Sequence, residues 1–242
     1  MSGLIFDCKN IDFRGVKVDC HLHTAYTDGE PTVDQIYRRS SLLGLDEILF
    51  SEHSRQSSVS WFPKFAEEVR RCSGLGVSVN VGTEVKVLDN FGNIDLAPEI
   101  EALCDYVMVS VHRMVDKRGV IRQFDEMARR DVLDIEKALS IAAIEQSGDR
   151  FQILGHMFGM SLKRFGLDVP RSVVEDVVIC ATENSVAIEL NSGYHTNAAM
   201  IFDVCRSAGA QITFGSNAHT LENVGSTIGM IQELSDLFGG QT

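Results

Sequence analysis

Long hydrophobic runs are missing from this 242-residue chain. Every apolar run breaks off well before the ~18 residues that mark a transmembrane helix, so no membrane span is expected. Proline is scarce, at four residues, and the twenty glycines follow no period. That excludes collagen-like and low-complexity architectures. The six cysteines, at 8, 20, 72, 104, 180 and 205, form no close CxxC pair. Structural zinc on paired thiolates is therefore not expected, and a chain of this size needs no disulfide framework. The opening MSGLIFDCKN has no basic segment leading into a long apolar stretch, so no secretory signal is expected and the simple reading is a cytoplasmic protein with reduced thiols. Positive charge is also in deficit, with 22 Lys and Arg against 34 Asp and Glu and a formal net charge of -12. Such a chain repels a phosphate backbone on average, which argues against an extended nucleic-acid surface. A local basic pocket can still hold one small phosphate ester.

What is present is enough apolar material, 44% of residues, to build a sizeable core and to argue against disorder. No interior linker rich in Pro, Gly and Ser interrupts it, so residues 1–242 are read as one domain. Apolar strand-like runs alternate with helical patterns. The strands are expected at Val16–Cys20, Glu47–Phe50, Val77–Val81, Tyr106–Val111, Phe151–Leu154, Val186–Leu190 and Gln211–Phe214. The helices are expected at Thr32–Leu43, Phe62–Cys72, Ile121–Gln146, Arg171–Thr182, Asn197–Ala208 and Ile228–Phe238. Alternation of this kind favours an α/β fold with a parallel sheet and helical crossovers. Periodicity alone leaves an open doubly wound sheet as the alternative to a closed, TIM-barrel-like one.

The strand ends favour the barrel. The first strand ends in Asp19, His21 and His23, which alternate with Val18, Cys20 and Leu22 and so share a face of an extended backbone. The last runs into Asn217 and His219, and those between end at His53, Glu84, His112, His156 and Asn191. A closed barrel brings such ends together over one mouth, whereas an open sheet spreads them apart. His21 and His23 would repel if both were protonated, and a shared cation removes that problem. Glu84 sits in an apolar strand, where an unpaired carboxylate is costly and calls for a metal or a cationic partner. Asp28 precedes Gly29, a strong turn signal, yet lies just past the first strand beside this group. His195 stands apart in a loop after Gly193-Tyr194, where an isolated histidine is ordinarily just hydrogen-bonded.

The candidate metal ligands are thus His21, His23, Asp28, His53, Glu84, His112, His156, Asn217 and His219. Mixed imidazole and carboxylate donors suit zinc, manganese or iron better than calcium or magnesium. The set exceeds the four ligands of one tetrahedral zinc, so two or three divalent ions are expected. Closely spaced ions are the chemistry of phosphate-ester hydrolysis.

The ordered series Asp19-Cys20-His21-Leu22-His23-Thr24-Ala25-Tyr26-Thr27-Asp28-Gly29, Ser51-Glu52-His53, Gly82-Thr83-Glu84, Val111-His112, Gly155-His156 and Ser216-Asn217-Ala218-His219 resembles the PHP family, the polymerase and histidinol phosphatase family of metal-dependent phosphoesterases. The resemblance implies a distorted (βα)7 barrel with a trinuclear site. It implies a first metal on His21, His23, Glu84 and position 217, a second on Glu84, His112 and His156, and a third on Asp28, His53 and His219. The expected mechanism is hydrolysis of a phosphomonoester by a metal-activated hydroxide, with Glu84, Asn217, His219 and His195 in catalytic roles. His219 or His195 is the expected proton donor to the leaving group, with Glu52 a further candidate, and Asp19 is expected to orient a ligating histidine. One departure stands out: the family usually has Asp where this chain has Asn217, which supplies an amide oxygen but no charge.

Basic residues follow several strand ends: Arg55, Lys86, Arg113, Lys117, Arg118, Lys163 and Arg164. Arg55, Arg113, Lys163 and Arg164 are the substrate-binding candidates, and Arg113 is the first choice because it adjoins His112. The expected partner is a small phosphorylated metabolite, and the family resemblance includes histidinol phosphatases. Two other readings compete. Asn217 favours a catalytically weak or inactive metal-binding regulatory protein. A histidine-rich metal barrel also suits an amidohydrolase acting on a C–N bond, for which Lys86 is the nearest strand-end lysine.

Overall fold

The computed structural model describes residues 3–123, 127–146 and 150–240. Eight strands form one curled sheet: β1 Phe6–Asp7, β2 Val18–Leu22, β3 Glu47–His53, β4 Ser78–Lys86, β5 Tyr106–Ser110, β6 Ile153–Leu154, β7 Ala187–Asn191 and β8 Gln211–Gly215. Their order is β1-β8-β7-β6-β5-β4-β3-β2, with β2 to β8 parallel to their neighbours and β1 antiparallel to β8. The seven expected strands are all found, with shifted ends. The notable extension is β4, which runs on past Val81 to carry Glu84 and Lys86 within the strand.

The helices follow from local sequence. Helix α1, Val33–Leu42, starts at a reciprocal cap in which Gln35 N donates to Thr32 Oγ1 and Thr32 N to Gln35 Oε1. It buries Val33, Ile36, Tyr37 and Ser40, one stripe at helical spacing. Helices α2 (Phe62–Arg70), α3 (Pro98–Glu101), α4 (Arg129–Gln146), α5 (Arg171–Glu183), α6 (Ala198–Ala208) and α7 (Thr227–Phe238) follow in order. Gly209, in the left-handed region at φ 72°, ends α6.

The helix expected from Ile121 begins only at Arg129. Ile121 instead bridges back to Val115. The Asp116 carboxylate organises the turn between them, accepting from Arg118 N and Val120 N. Part of the expected helix, residues 124–126, lies outside the described residues.

The barrel closes incompletely, between β2 and β8. Here a single bridge joins Leu22 of β2 to Ala218, three residues past β8, where His23 N donates to Ala218 O and Ala218 N to His21 O. Lower down, β1 occupies the edge of β8. It is a two-residue strand, too short to show periodicity. The gap is crossed by the buried Asp19 carboxylate, which accepts from Ser216 N and Gly225 N, both at 2.9 Å. Asp19 therefore pins the seam instead of orienting a histidine ring as expected. Burial pushes its carboxyl up to about 6, against these donors. The core is the apolar content of parallel strands buried on both faces: Ile48, Leu49 and Phe50 of β3, Val107 to Val109 of β5 and Ile188 and Leu190 of β7 are at most 3% exposed. Among the described residues, no helix is long and apolar enough to cross a membrane.

Candidate metal centre

The C-terminal strand ends deliver the polar residues to one place. His21 comes from β2, His53 from the end of β3 and Glu84 from β4. His23, Asp28, His112, His156, Asn217 and His219 come from the loops that follow strands β2, β5, β6 and β8. All nine expected metal ligands are thus carried by strand ends at the same rim.

Glu84 is the centre of the group. Its Oε1 lies 2.8 Å from His156 Nε2 and 3.3 Å from His112 Nε2. Its Oε2 lies 2.9 Å from His53 Nδ1, 3.5 Å from His21 Nε2 and 3.7 Å from His23 Nε2. One fully buried carboxylate therefore faces five imidazoles, divided between its two oxygens. Three overlapping groups have ligand atoms within 4.8 Å of one another: His23, Asp28, His53 and His219; His21, Glu84 and His156; and His53, Glu84 and His112. The membership differs from the expected allotment, since His23 groups with Asp28 and His21 with His156. The Asn217 amide joins the first of these groups through Oδ1, which faces His23 Nε2 at 3.0 Å. Asn217 adopts φ 54°, a left-handed conformation that asparagine tolerates better than most residues.

The electrostatics suit cations. Burial opposes the charge on Glu84, yet His112 and His21 hold its carboxyl well below the usual range. Burial likewise disfavours a charged His21, but Glu189 and Glu84 on either side raise it to about 10. The centre thus draws positive charge to the Glu84 oxygens. Burial lowers His23 to about 4 and also lowers His156; neutral imidazole is the form that ligates. Among buried side-chain atoms, His21 Nε2, His23 Nδ1 and Glu84 Oε2 make no hydrogen bond. Orphaned donors and acceptors in a dry site are costly unless something else engages them, and a cation held there would engage His21 Nε2 and Glu84 Oε2.

Other residues set the orientation of these ligands. Glu189, in the middle of β7 and fully buried, holds His21 Nδ1 at 2.8 Å and accepts from Asn191 Nδ2 and His156 N. This leaves His21 Nε2 facing Glu84. Space for the Glu189 carboxylate exists because residue 215 is glycine: a Cβ there would lie 1.9 Å from Glu189 Oε1 and 2.6 Å from His21 Cβ. Glu52 accepts from Thr24 N, Thr24 Oγ1 and His53 N and lies 3.6 Å from His23 Nδ1. It braces the ligand loop and is too engaged to serve as the proton donor considered for it. His219 Nδ1 donates to Asn217 O at 2.9 Å, which turns Nε2 towards Asp28. Tyr194 stacks on the His156 ring at 4.6 Å.

Glu189 and Tyr194 were not expected from sequence. Glu189 had a signal, because a carboxylate inside the apolar run of β7 raises the same cost that singled out Glu84. Asn191 does not face the metal groups; it bonds Glu189 and Gly193 N.

His195 is buried, with Nδ1 accepting from Asn191 N and Nε2 donating to Met157 O, each at 3.0 Å. Both ring nitrogens are committed to backbone, so a proton-donor role for His195 does not fit.

The basic candidates divide. Arg55 and Lys86 line a cavity of about 480 Å³ together with Asp28, His53, Glu84 and His112. Arg113 is not among its lining residues. Lys163 is anchored elsewhere, donating to Gly193 O and lying 4.3 Å over the Tyr194 ring. Arg164 is exposed at the end of the π-helical turn Met160–Arg164. Lys117 and Arg118 line a separate cavity, where Arg118 pairs with Asp116.

Comparison with known proteins agrees with this geometry. The PHP domain profile matches residues 19–193. A protein of Vibrio atlanticus (strain LGP32) named as a probable phosphatase is 27% identical over 231 residues, covering 87% of this chain and 81% of its own. One of the same name from Clostridium acetobutylicum is 26% identical over 235 residues, covering 90% and 85%. The crystal structure of histidinol phosphate phosphatase from Lactococcus lactis, in complex with zinc, L-histidinol and phosphate, superposes with a TM-score of 0.61 at 14% identity, covering 90% of this chain and 93% of that one. That likeness concerns the fold. With a domain match over most of its length and a multinuclear ligand set at the barrel mouth, this chain belongs to the PHP-domain family of metal-dependent phosphoesterases.

Proposed function

We propose that this chain hydrolyses a small phosphomonoester at the Glu84 centre, with two or three divalent ions held by His21, His23, Asp28, His53, Glu84, His112, His156, Asn217 and His219. The observation that carries the reading is the buried Glu84 carboxylate, whose two oxygens face different histidines beside a cavity that also holds Arg55 and Lys86. The donor set fits zinc, manganese or iron. Such ions, when bound, polarise phosphoryl oxygens and lower the pKa of water.

The chain's own residues do the rest. Glu189 and Glu52 fix the ligand orientations, and Arg55 brings a planar fork suited to an anionic group of the substrate to the cavity wall. His219 is held with its Nδ1–H on a carbonyl, which suits Nε2 to ligation and not to proton donation. The names of the phosphatase relatives and the histidinol phosphate phosphatase fold support the substrate class. Six unpaired cysteines fit a reducing compartment such as the cytoplasm.

Asn217 favours a second reading, a metal-binding protein of little activity, because the site lacks the carboxylate the family usually has there. Phosphate release from histidinol phosphate, nucleotides, sugar phosphates and phosphotyrosine, with each metal in turn, separates the two. Turnover of at least one ester supports the phosphatase. No turnover with all metals bound supports the second reading.

A further inference from the structure

Three cations follow candidate metal ligands at the ends of three adjacent strands. Arg55 lies two residues after His53, Lys86 two residues after Glu84, and Arg113 directly after His112. The strands are in register, with His53 beside Glu84 and Lys86 beside Ser110. Lys86 ends β4, while Arg55 and Arg113 lie in the loops just past β3 and β5, and together they form a basic rim beside the candidate ligands His53, Glu84 and His112.

This rim is uncompensated. Arg38, Arg70, Arg118 and Arg171 each face a carboxylate. Arg55, Lys86 and Arg113 form no ion pair among the described residues, in a chain whose net charge is -12. Clustered like charges are destabilising unless something offsets them.

The scissile phosphate does not require them all. Among the nine metal ligands only Asp28 and Glu84 are carboxylates, and Asn217 is neutral, so bound divalent ions already present excess positive charge to one phosphate. The cavity lined by His53, Glu84 and His112 is lined also by Arg55, Lys86, Ser57 and Trp61. At about 480 Å³ it falls in the ~300–1,000 Å³ range of small-molecule sites, with room beyond a phosphoryl group.

We infer that the substrate is a phosphomonoester carrying a second anionic group, which sits on the Arg55, Lys86 and Arg113 rim while the scissile phosphate lies at the Glu84 centre. This rests on the phosphoesterase reading above. The reaction is unchanged by it: water adds to phosphorus, the P–O ester bond breaks, and the alcohol and inorganic phosphate leave.

The test uses metal-loaded full-length protein and matched pairs. One pair is 3-phosphoglycerate against glycerol 3-phosphate, which differ by a carboxylate. The other is fructose 1,6-bisphosphate against fructose 6-phosphate, which differ by a phosphate. Calorimetric binding of 4-phosphonobutyrate against butylphosphonate supplies a readout that needs no turnover. The expected result is a preference of about tenfold for the doubly anionic member in kcat/KM for at least one pair and in Kd for the phosphonates, the scale of one charge-assisted contact.

The preference should shrink with added salt and collapse in Arg55→Gln/Lys86→Gln, whose folding is checked by its melting curve. Arg113→Gln serves as a second variant should that one fail to fold. Which pair shows the preference tells carboxylate from phosphate. Preferences within about twofold in every comparison, or a preference untouched by the substitutions, would overturn the inference. If no ester is turned over but the phosphonate preference and its loss in the variant hold, the anion rim stands and the phosphatase reading falls.

Discussion

Replacing Glu189 by Gln removes a charge from behind His21 while keeping the side chain's shape. Glu189 is fully buried, and its two oxygens receive three donors: His21 Nδ1 at 2.8 Å, Asn191 Nδ2 at 2.7 Å and the His156 backbone N–H. A glutamine offers one oxygen and one NH2, so at least one of those donors must face another donor. An unsatisfied buried group costs about 1–3 kcal/mol, which sets the expected loss of metal-free stability. The larger effect falls on metal binding. His21 loses the carboxylate that orients its ring and raises the basicity of the nitrogen facing Glu84. Removing such a partner typically weakens metal affinity about 10–100-fold, or ~1.4–2.8 kcal/mol. The assay is chelator competition on wild type and Glu189→Gln, alongside melts with and without metal. At one fixed metal concentration the variant should show a smaller metal-induced stabilisation. A folded variant whose affinities match wild type within about twofold would refute the claim that Glu189 sets the ligand field of His21.

Asn217→Asp should keep the fold, since aspartate also tolerates the left-handed backbone found there, while strengthening metal binding by about tenfold and raising kcat. Equal or lower activity at equal metal loading would show that the amide is the adapted ligand. Gly215→Ala should abolish the site, because its Cβ would collide with Glu189 Oε1 and His21 Cβ; near-normal metal content would contradict this. Glu136 predicts a pH dependence away from the metals. It is buried on α4 and accepts from Met160 N, Ser161 N and Ser161 Oγ, and burial raises its carboxyl to about 7. A raised carboxyl favours the folded state fully below its unfolded pKa near 4.5, and that contribution falls as pH rises to about 7. Urea unfolding of wild type and Glu136→Gln should therefore differ by a term that declines by about 3 kcal/mol over this window. A pH-independent difference would refute it.

The barrel and the gathering of candidate ligands at its mouth were legible because parallel strands announce themselves as short apolar runs, and each run here ends in a residue that apolar packing does not explain. His53, Glu84, His112 and His156 follow that rule. What the pattern hides is depth within the strand. Glu189 lies inside the apolar run of β7 and Glu52 beside His53, so both looked subordinate to the strand-end residues. Their roles depend on neighbours 168 residues away for Glu189 and 28 for Glu52. The same limit explains how the ligands group, because contiguity in sequence placed His21 with His23 while the register shift in β2 between Asp19 and Leu22 accompanies their separation into different clusters. His195, whose isolated loop position read as an ordinary hydrogen-bonded histidine, is that in the fold, with both ring nitrogens on backbone. The two-residue β1 and the turn before α4 were set by a sheet edge and by the Asp116 carboxylate, and neither has a periodic signature.

Metal content measured by elemental analysis, on protein saturated separately with zinc, manganese and iron and then desalted, tests the account most directly. Wild type should retain more than one equivalent of at least one of these metals. Glu84→Ala should lose more than a single site, because one carboxylate serves two of the three ligand groups. A wild-type value of one or zero with every metal, or a Glu84→Ala protein that keeps them all, would contradict a multinuclear centre built on Glu84.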